Sequence, residues 1–413
     1  MTQMESARKG TITPEARLCA RKEGIPPQKL IRSLANGATV IVGKGKKATA
    51  IGSLAATKIN ANLGTSHEYS DTKEELAKLR SSIEAGADTV MDLSMAEQEK
   101  SLALMIENST VPVGSVPIYG AFANKDIASV SEDEMLKSIA RHLELGVDFA
   151  TIHSAMLLKG VELSKKRTMP IVSRGGCFLA SWMLHNGKEN PLYTHFDYIL
   201  ELLRASDAAI SIGDALRPGC LADSSDKAQL HELKVQGELV KRCHRAGVAA
   251  ICEGPGHMPL SQIEKNVKLQ KKLCSGAPYY VLGPLTTDIG AGYDHITSAI
   301  GGAVAASAGA DFLCVVTPSE HLGLPTSEDI VDGVVAMKIA AHSADIVKFG
   351  KRERDDELSL ARSKLDWGKQ FSLSVNPRRA SSIYNSRATS TGACSMCGKY
   401  CAIRIMQKAT AKK

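Results

Sequence analysis

Three cysteines near the end of the chain stand close enough together to ligate one metal centre. Cys394, Cys397 and Cys401 fall within eight residues, with two and then three residues between them. Thiolates are ligands for zinc and for iron–sulfur clusters. A structural zinc site normally closes with four ligands and no fourth is evident nearby, so the set suits a cluster that leaves one iron open. A zinc-knuckle half-site and three unligated thiols are the alternatives.

Two Gly-containing turns earlier in the chain carry groups that suit a phosphate. Ser173-Arg174-Gly175-Gly176 combines a hydroxyl, a guanidinium and exposed backbone amides, and Asp214-Ala215-Leu216-Arg217 adds a carboxylate and a second guanidinium. The planar fork of a guanidinium matches the oxygens of a phosphate. An internal ion pair between arginine and aspartate is the alternative for one of the two arginines.

Histidines at two further turns indicate a metal site. Glu253-Gly-Pro-Gly-His257 is a turn in which proline and glycine bring Glu253 and His257 together, and His321 follows a later strand. Neutral imidazoles at His257 and His321 could bind one divalent metal, zinc or iron. His153 could act as a general acid or base, or could be a hydrogen-bonded core residue.

These residues need a scaffold, and the chain alternates short β-rich runs with amphipathic helical segments. Nine runs are predicted as strands: Lys58–Leu63, Thr89–Leu93, Val113–Tyr119, Phe149–His153, Pro170–Ser173, Ala208–Gly213, Ala249–Cys252, Tyr279–Leu282 and Phe312–Val316. Alternation at this pitch predicts an α/β fold with a parallel sheet, and polar residues at nearly every strand end favour a (β/α)8 barrel. Nine runs are one too many for eight strands. A doubly wound open sheet is the alternative.

The predicted domain organisation has four parts. Residues 1–57 form an N-terminal lead-in region, 58–345 the catalytic barrel, 346–377 a helical extension, and 378–413 a flexible arm with the cysteine motif. Thr13-Pro14-Glu15 predicts a helix start. The Ser-, Arg- and Asn-rich segment 375–393 has no apolar period and predicts a flexible linker. The lysine-rich loop 43–47 lacks the spacing of a phosphate loop and predicts an exposed turn.

Composition bounds the class of protein. The net charge of +7 is accounted for by residues 378–413, where eight Lys or Arg and no acid occur. That tail lacks the interleaved aromatics of a single-strand binding surface, so we expect no nucleic-acid partner. No apolar run approaches the length of a membrane span, and residues 1–10 lack a secretory apolar region. We therefore expect a soluble, cytoplasmic protein whose seven scattered cysteines are reduced.

Several motifs together resemble a known family. They are Asn60-Ala-Asn-Leu-Gly-Thr-Ser66, Ala87-Asp-Thr-Val-Met-Asp-Leu-Ser94, Val172-Ser-Arg-Gly-Gly176, Glu253-Gly-Pro-Gly-His257, Leu282-Gly-Pro-Leu-Thr-Thr-Asp288 and Cys394-Ser-Met-Cys397. The chain resembles the thiamin pyrimidine synthase family of atypical radical S-adenosylmethionine enzymes over about residues 1–405. The resemblance includes the anaerobic 5-hydroxybenzimidazole synthase branch, which uses the same substrate, 5-aminoimidazole ribotide.

The resemblance implies a barrel with an N-terminal extension and a C-terminal arm, which closes over the partner subunit's active site in a homodimer. It assigns ribotide contacts to Asn62, Met91, Tyr119, His153, Ser173, Arg174, Gly175, Asp214, Ala215, Leu216, Arg217, Glu253 and Tyr280, with catalytic roles for Glu253, His153 and Tyr280. It implies that His257 and His321 hold a divalent metal and that Cys394, Cys397 and Cys401 hold a 4Fe–4S cluster. S-adenosylmethionine and an external electron donor complete the implied radical chemistry, in which the ribotide is rearranged.

Four departures from the pyrimidine synthase pattern bear on the product. They are Met95-Ala96 for Thr-Gly, Ala215 for Gly, Gly290 for Ala with Ala291 for Pro, and Gly120 for Gln. If these positions line the catalytic mouth, they reshape a pocket that keeps its substrate contacts. That expectation favours 5-hydroxybenzimidazole, the lower-ligand precursor of cobalamin, as the product. The alternative is the thiamine precursor 4-amino-5-hydroxymethyl-2-methylpyrimidine phosphate.

Overall fold

A computed structural model describes residues 1–66, 68–69, 71–387 and 389–410. It divides into two compact units, Met1–Asp345 and Ile346–Lys413. Within the part of the chain that is described, none of the helices is long and apolar enough to cross a membrane.

The first unit contains every strand of the described chain. The strands are β1 (Thr39–Val42), β2 (Thr49–Gly52), β3 (Lys58–Leu63), β4 (Thr89–Asp92), β5 (Val113–Ser115), β6 (Phe149–Ile152), β7 (Ala209–Ile212), β8 (Ala250–Gly254), β9 (Tyr279–Val281) and β10 (Phe312–Cys314). Strands β3 to β10 form a closed parallel barrel, in which β10 pairs with both β3 and β9. The (β/α)8 barrel predicted from the alternating pattern is confirmed.

Helices cover the barrel and precede it. They are α1 (Gln3–Arg8), α2 (Pro14–Glu23), α3 (Pro27–Ala35), α4 (Thr72–Ala85), α5 (Gln98–Asn108), α6 (Ile118–Phe122), α7 (Glu132–Glu144), α8 (Leu158–Ser164), α9 (Arg174–Asn186), α10 (Pro191–Thr194), α11 (Phe196–Ser206), α12 (Lys227–Ala246), α13 (Leu260–Leu273), α14 (Asp294–Ser307) and α15 (Ser327–Phe349). Short 3-10 helices lie at Gly45–Lys47, Ile127–Ser129 and Leu221–Asp223. Side-chain N-caps such as Asp71 of α4 and Asp226 of α12 satisfy free backbone N–H groups at the helix starts.

The barrel interior is filled by side chains, as a barrel of this size requires. The rings of Phe149 and Phe312 pack edge to face at 6.2 Å between centroids, and Tyr280 lies 4.3 Å from Phe312. Gly114 in β5 makes room for this layer, because a Cβ there would stand 2.3 Å from the ring of Phe149. The residues at the carboxyl ends of the strands lie above this packed layer.

One of the nine predicted strands is wrong. Pro170–Ser173 is not a strand, because β6 already pairs with β7 and the barrel closes without a member between them. Pro170 lacks a backbone N–H for a ladder, and Ser173 caps α9 with its hydroxyl, accepting from the Gly176 amide at 3.2 Å. The run Val113–Tyr119 is a strand only to Ser115, and its remainder enters α6.

The N-terminal region has its own apolar core. Thr13 caps α2 and Pro14 is its first residue, as predicted from the sequence. The hairpin of β1 and β2 was not predicted; it pairs antiparallel, with Val40 opposite Ile51. The lysine-rich loop between these strands is a turn containing a 3-10 helix, as expected.

The second unit is helical. It contains α16 (Glu353–Ser363), α17 (Trp367–Leu373), α18 (Pro377–Asn385), the 3-10 helix Gly398–Tyr400 and α19 (Ala402–Thr410). Helix α18 lies inside the segment predicted as a linker without regular structure, so that expectation is corrected for 377–385. Asn376 caps α18, and Tyr384 stacks 4.4 Å from Trp367. These contacts stabilise α18, although its sequence shows no apolar period that would predict a helix.

Candidate active site

A cavity opens at the carboxyl ends of the barrel strands, the position where barrel enzymes bind their substrates. Nine of the predicted site residues line it: Asn62, Met91, Tyr119, His153, Ser173, Asp214, Arg217, Glu253 and Tyr280. They come from seven strands or strand-following turns, so the closed barrel brings together residues that are far apart in sequence.

Four further predicted residues lie outside that lining. Arg174 lines a neighbouring cavity at the same mouth, and its guanidinium carbon stands 5.3 Å from the centre of the Tyr119 ring. Gly175 packs so closely on His153 that a Cβ would approach Cε1 to 2.7 Å. Ala215 and Leu216 are fully buried. Substrate contacts of these four residues, like those of the nine that line the cavity, stay predictions.

The turn after β7 contains the ion pair that the sequence left as an alternative. The Arg217 guanidinium donates to Asp214 Oδ1 at 3.1 Å. Burial raises the pKa of Asp214 to about 8; Arg217 opposes that shift and Glu253 adds to it. The pair leaves Arg217 at the cavity wall, where its remaining donors can meet an anion.

Glu253 is held by two hydroxyl groups inside the barrel. Thr151 Oγ1 and Ser211 Oγ each donate to Glu253 Oε1 at 2.7 Å. Burial raises the pKa of the Glu253 carboxyl, while the two hydroxyls lower it. The arrangement orients a carboxyl group that can accept or deliver a proton at the cavity.

His153 is buried and hydrogen-bonded to Ser173. Its Nε2 lies 3.1 Å from Ser173 Oγ, and its Nδ1 has no partner among the described residues. Burial, together with the charge of Arg217, lowers the pKa of His153 to about 3. The imidazole is therefore neutral at pH 7 and serves as a hydrogen-bonding group rather than as a cation.

Three residues at the cavity or behind it were not singled out from the sequence. Thr151 and Cys314 line the cavity, and Ser211 bonds Glu253 behind it. Cys314 accepts a hydrogen bond from the Asn62 amide at 3.0 Å. Thr151 and Cys314 each stand two residues after a barrel-core phenylalanine, on the same side of the strand. A polar residue two positions after a buried phenylalanine in a strand would have indicated a side chain that points into the barrel.

His257 and His321 meet, as a shared metal site requires. Their ring centroids are 5.2 Å apart, and their Nδ1 atoms lie 2.8 Å from Asp288 Oδ1 and 3.1 Å from Asp294 Oδ2, respectively. Carboxylates at Nδ1 leave Nε2 available, the usual second-shell arrangement of metal-binding histidines. Over the described residues, no three His, Cys, Asp or Glu side chains are gathered as a ready metal site. The chain thus offers two ligands that fit a divalent metal with open positions.

The three cysteines flank one short turn of the second unit. Cys397 and Cys401 border the 3-10 helix Gly398–Tyr400, and the Gly398 amide donates to the Cys394 carbonyl at 2.9 Å. Partial desolvation and the neighbouring sulfurs of Cys394 and Cys401 raise the pKa of Cys397. The three thiols are thus within electrostatic reach of one another. Three thiols on one turn are a suitable donor set for a cluster with one open iron. Over the described residues they are not gathered as a ready metal site, so ligation of a cluster by them stays a prediction.

The fold and the cavity define a (β/α)8-barrel enzyme with a separate cysteine-bearing unit. The chain belongs to the radical SAM ThiC family, whose model matches residues 2–408. It is 50% identical over 421 residues to the phosphomethylpyrimidine synthase of Desulforudis audaxviator, covering 98% of each chain. It is 49% identical to that of Desulforamulus reducens, over 100% of this chain and 99% of the relative. It is 47% identical to phosphomethylpyrimidine synthase 2 of Methanosarcina barkeri, over 100% and 99%.

The argument for hydroxybenzimidazole requires the residues that depart from the pyrimidine synthase pattern to line the cavity. The described lining does not contain them. Met95, Ala96, Gly120, Ala215 and Gly290 are all absent from the described lining of the central cavity and of the neighbouring one. The described lining therefore gives no support to the expectation of a reshaped pocket. Ala215 instead packs on α9, where a Cβ on Gly176 would meet the Ala215 Cβ at 3.0 Å.

Gly120 illustrates how one departure is compensated. A Cβ at Gly120 would lie 2.4 Å from Gln98 Oε1, so the Gln98 side chain occupies the space beside this glycine. Gln98 is buried and its amide donates to the Val116 carbonyl at 3.2 Å. An amide is thus present beside position 120 although the residue itself is glycine.

Proposed function

We propose that this protein is a phosphomethylpyrimidine synthase, which converts 5-aminoimidazole ribotide to 4-amino-5-hydroxymethyl-2-methylpyrimidine phosphate for thiamine. The observation that carries the proposal is the identity of 49–50% over at least 98% of the chain to relatives named phosphomethylpyrimidine synthase. The described lining of the cavity agrees with it, because none of the positions that depart from the pyrimidine synthase pattern belongs to that lining. Hydroxybenzimidazole, the product expected from the departures in the sequence pattern, is therefore no longer the proposed product.

In this proposal the two arginine-bearing turns bind the phosphate of the ribotide. Arg217 keeps a charged fork at the cavity wall, and Ser173 caps the start of α9, where backbone amides and the helix dipole favour an anion. Arg174, whose guanidinium lies over the Tyr119 ring, closes the same side of the cavity. A phosphate bound here anchors the substrate while its ribose and imidazole carbons react.

The proton-handling groups adjoin those turns. Glu253, oriented by two hydroxyls, exchanges a proton with the substrate, and neutral His153 stays bonded to Ser173 and orders the phosphate turn. The Tyr280 hydroxyl accepts from the Asn60 amide at 2.8 Å and is also hydrogen-bonded to Cys314, so its position at the cavity is fixed by two partners. The walls formed by Leu93, Val116 and Leu282 limit water around the reacting carbons.

The cofactor sites belong to the same proposal. Cys394, Cys397 and Cys401 would hold a 4Fe–4S cluster, which together with S-adenosylmethionine and an external electron donor supplies radical chemistry when bound. His257 and His321 would hold a divalent metal, zinc or iron, through Nε2. The proposal includes a homodimer in which the cysteine-bearing arm of one subunit closes over the active site of the partner subunit.

The test is an anaerobic incubation of the reconstituted protein with the ribotide, S-adenosylmethionine and a reductant, read by product mass. We expect a phosphorylated hydroxymethylpyrimidine and 5′-deoxyadenosine. Cys401→Ser abolishes both, whereas Cys177→Ser, at an exposed thiol outside the motif, retains them. Hydroxybenzimidazole as the product overturns the proposed product, and a colourless protein with zinc at the cysteines overturns the radical chemistry.

A further inference from the structure

Arg167 lies on the loop between α8 and α9, and its guanidinium is almost completely enclosed, with 2% of the side chain exposed. Its Nε and Nη2 donate to the two carboxylate oxygens of Asp226, at 2.9 and 2.7 Å. This two-point pair fixes the plane of the guanidinium. An enclosed, oriented guanidinium of this kind is poised to hold backbone acceptors in place.

The other donors of Arg167 bind backbone carbonyls in the turn after β7 and in the segment that precedes Ser173. Nη2 donates to the Leu216 carbonyl at 2.7 Å, and Nη1 donates to the Arg217 carbonyl at 3.4 Å. Nη1 also donates to the Pro170 carbonyl at 3.3 Å, three residues before Ser173. One side chain thus joins the turn after β7 to the segment that leads into the cap of α9.

The backbone of Leu216 is held at its amide as well. The Leu216 N–H donates to Glu232 Oε2 at 2.8 Å, and Glu232 is buried on α12. With Arg167 on its carbonyl and Glu232 on its amide, Leu216, the residue before Arg217, has both of its backbone polar groups fixed. The carbonyl of Pro218, the residue after Arg217, accepts from the His257 amide at 3.2 Å. A backbone hydrogen bond therefore connects the turn after β7 to His257.

We infer that Arg167 is a positioning residue that holds Arg217 and the Ser173 turn in the geometry that recognises the phosphate of the substrate. This inference rests on the proposed function, because it needs a phosphorylated ligand in the cavity. Arg167 does not line the cavity and acts only through the backbone it binds. It explains why Ala215 and Leu216, though fully buried, belong to a turn that serves the site.

Lysine cannot replace Arg167 in this role. Lysine keeps the charge but carries three donors on a single nitrogen, whereas the guanidinium serves Asp226 and three carbonyls from one plane. Arg167→Lys therefore loosens the two turns while retaining the neighbouring charge. The affected substrate group is the phosphate, since both turns face it.

The experiment measures binding of 5-aminoimidazole ribotide and of its dephosphorylated riboside by calorimetry, without S-adenosylmethionine. For Arg167→Lys we expect ribotide affinity to fall about tenfold or more, and riboside affinity by less than about twofold. Product formed per bound ribotide stays near the wild-type value. Arg242→Lys is the matched control, because Arg242 pairs with Asp197 and stacks on Phe196 away from the cavity.

A second variant covers the case in which Arg167→Lys does not fold, as judged by its melting temperature. Asp226→Asn keeps Arg167 and keeps an N-cap for α12, but it removes the charge that orients the guanidinium. We expect a smaller selective loss of ribotide affinity. Unchanged ribotide affinity in the folded variants, or equal losses for ribotide and riboside, overturns the inference. A wild-type protein that binds no ribotide and forms no pyrimidine overturns the proposed function itself.

Discussion

The imidazole rings of His257 and His321 lie 5.2 Å apart between centroids although 63 residues separate them in the chain. Asp288 and Asp294 engage the Nδ1 atoms of these two rings. Because each Nδ1 is occupied, each ring can offer Nε2 to the same metal ion. The Asp294 carboxylate is buried at the first residue of α14, so a fixed side chain sets the orientation of His321.

Removing these carboxylate charges should weaken metal binding. Asp288→Asn and Asp294→Asn are each expected to lower affinity for Co²⁺ or Zn²⁺ by about 10–100-fold, because the ligand loses its orienting, basicity-raising partner. Metal titration of protein lacking the cluster, followed by Co²⁺ absorption, measures the effect. Asp197→Asn, at an exposed carboxylate, should leave affinity unchanged. Wild-type affinity in both site variants contradicts the assignment.

The hydroxyls on Glu253 should control the pH at which this carboxyl ionises. Both hydroxyls lower the pKa of Glu253 against the effect of burial. Thr151→Val combined with Ser211→Ala is therefore expected to raise that pKa further. The acid limb of the kcat/KM profile should move upward by about one pH unit or more.

The control for that change is Ser82→Ala, which removes a buried hydroxyl bonded to the Leu79 carbonyl outside the cavity. It should leave the pH profile where it is in the wild type. An acid limb that does not move in the double variant would show that Glu253 is not the group that titrates.

Gly120 should tolerate a side chain only when Gln98 is shortened. Gly120→Ala places a Cβ 2.4 Å from Gln98 Oε1 and is expected to lower the free energy of unfolding by about 1–3 kcal/mol. In a Gln98→Ala background most of that loss should disappear. Urea unfolding of the four proteins gives the coupling energy. Gly368→Ala, in a helix with only an ordinary contact at 3.7 Å, is the control. Additive losses would contradict the contact.

Stability should fall in acid because buried histidines are kept neutral. Burial lowers the pKa of His142 to about 4, and its Nδ1 lies 2.8 Å from Ser115 Oγ. The unfolded chain takes up the proton near pH 6.5, so this stabilisation is present above pH 6.5 and is lost as the pH falls through about 4. The loss is on the order of 3 kcal/mol for this residue.

Urea unfolding at pH 7 and pH 5 tests that expectation. In His142→Asn the free energy of unfolding should fall less between the two pH values than in the wild type. His185→Asn, at an exposed histidine, should retain the wild-type slope. Identical slopes for wild type and His142→Asn would exclude His142 as a source of the acid sensitivity.

Local sequence patterns predicted much of the barrel. The alternation of buried runs and amphipathic segments identified eight strands, because each run buries its side chains whichever neighbour it pairs with. The same local reading failed at Pro170–Ser173, where the apolar composition resembles a strand but the barrel has no place for one. It also missed the hairpin of β1 and β2, although the β-branched run Thr39–Val42 was an available strand signal.

By itself, the sequence determined the chemical types available: thiolates on one short turn, guanidiniums beside glycines, and histidines after strands. Only the tertiary structure decided which of them meet, since closing the barrel joins residues as distant as Asn60 and Tyr280. It also decided which residues after each strand line the cavity, and Gly120 in α6 and Ala215 after β7 are not among them. Position relative to a cavity depends on packing from several segments, and no local pattern encodes it.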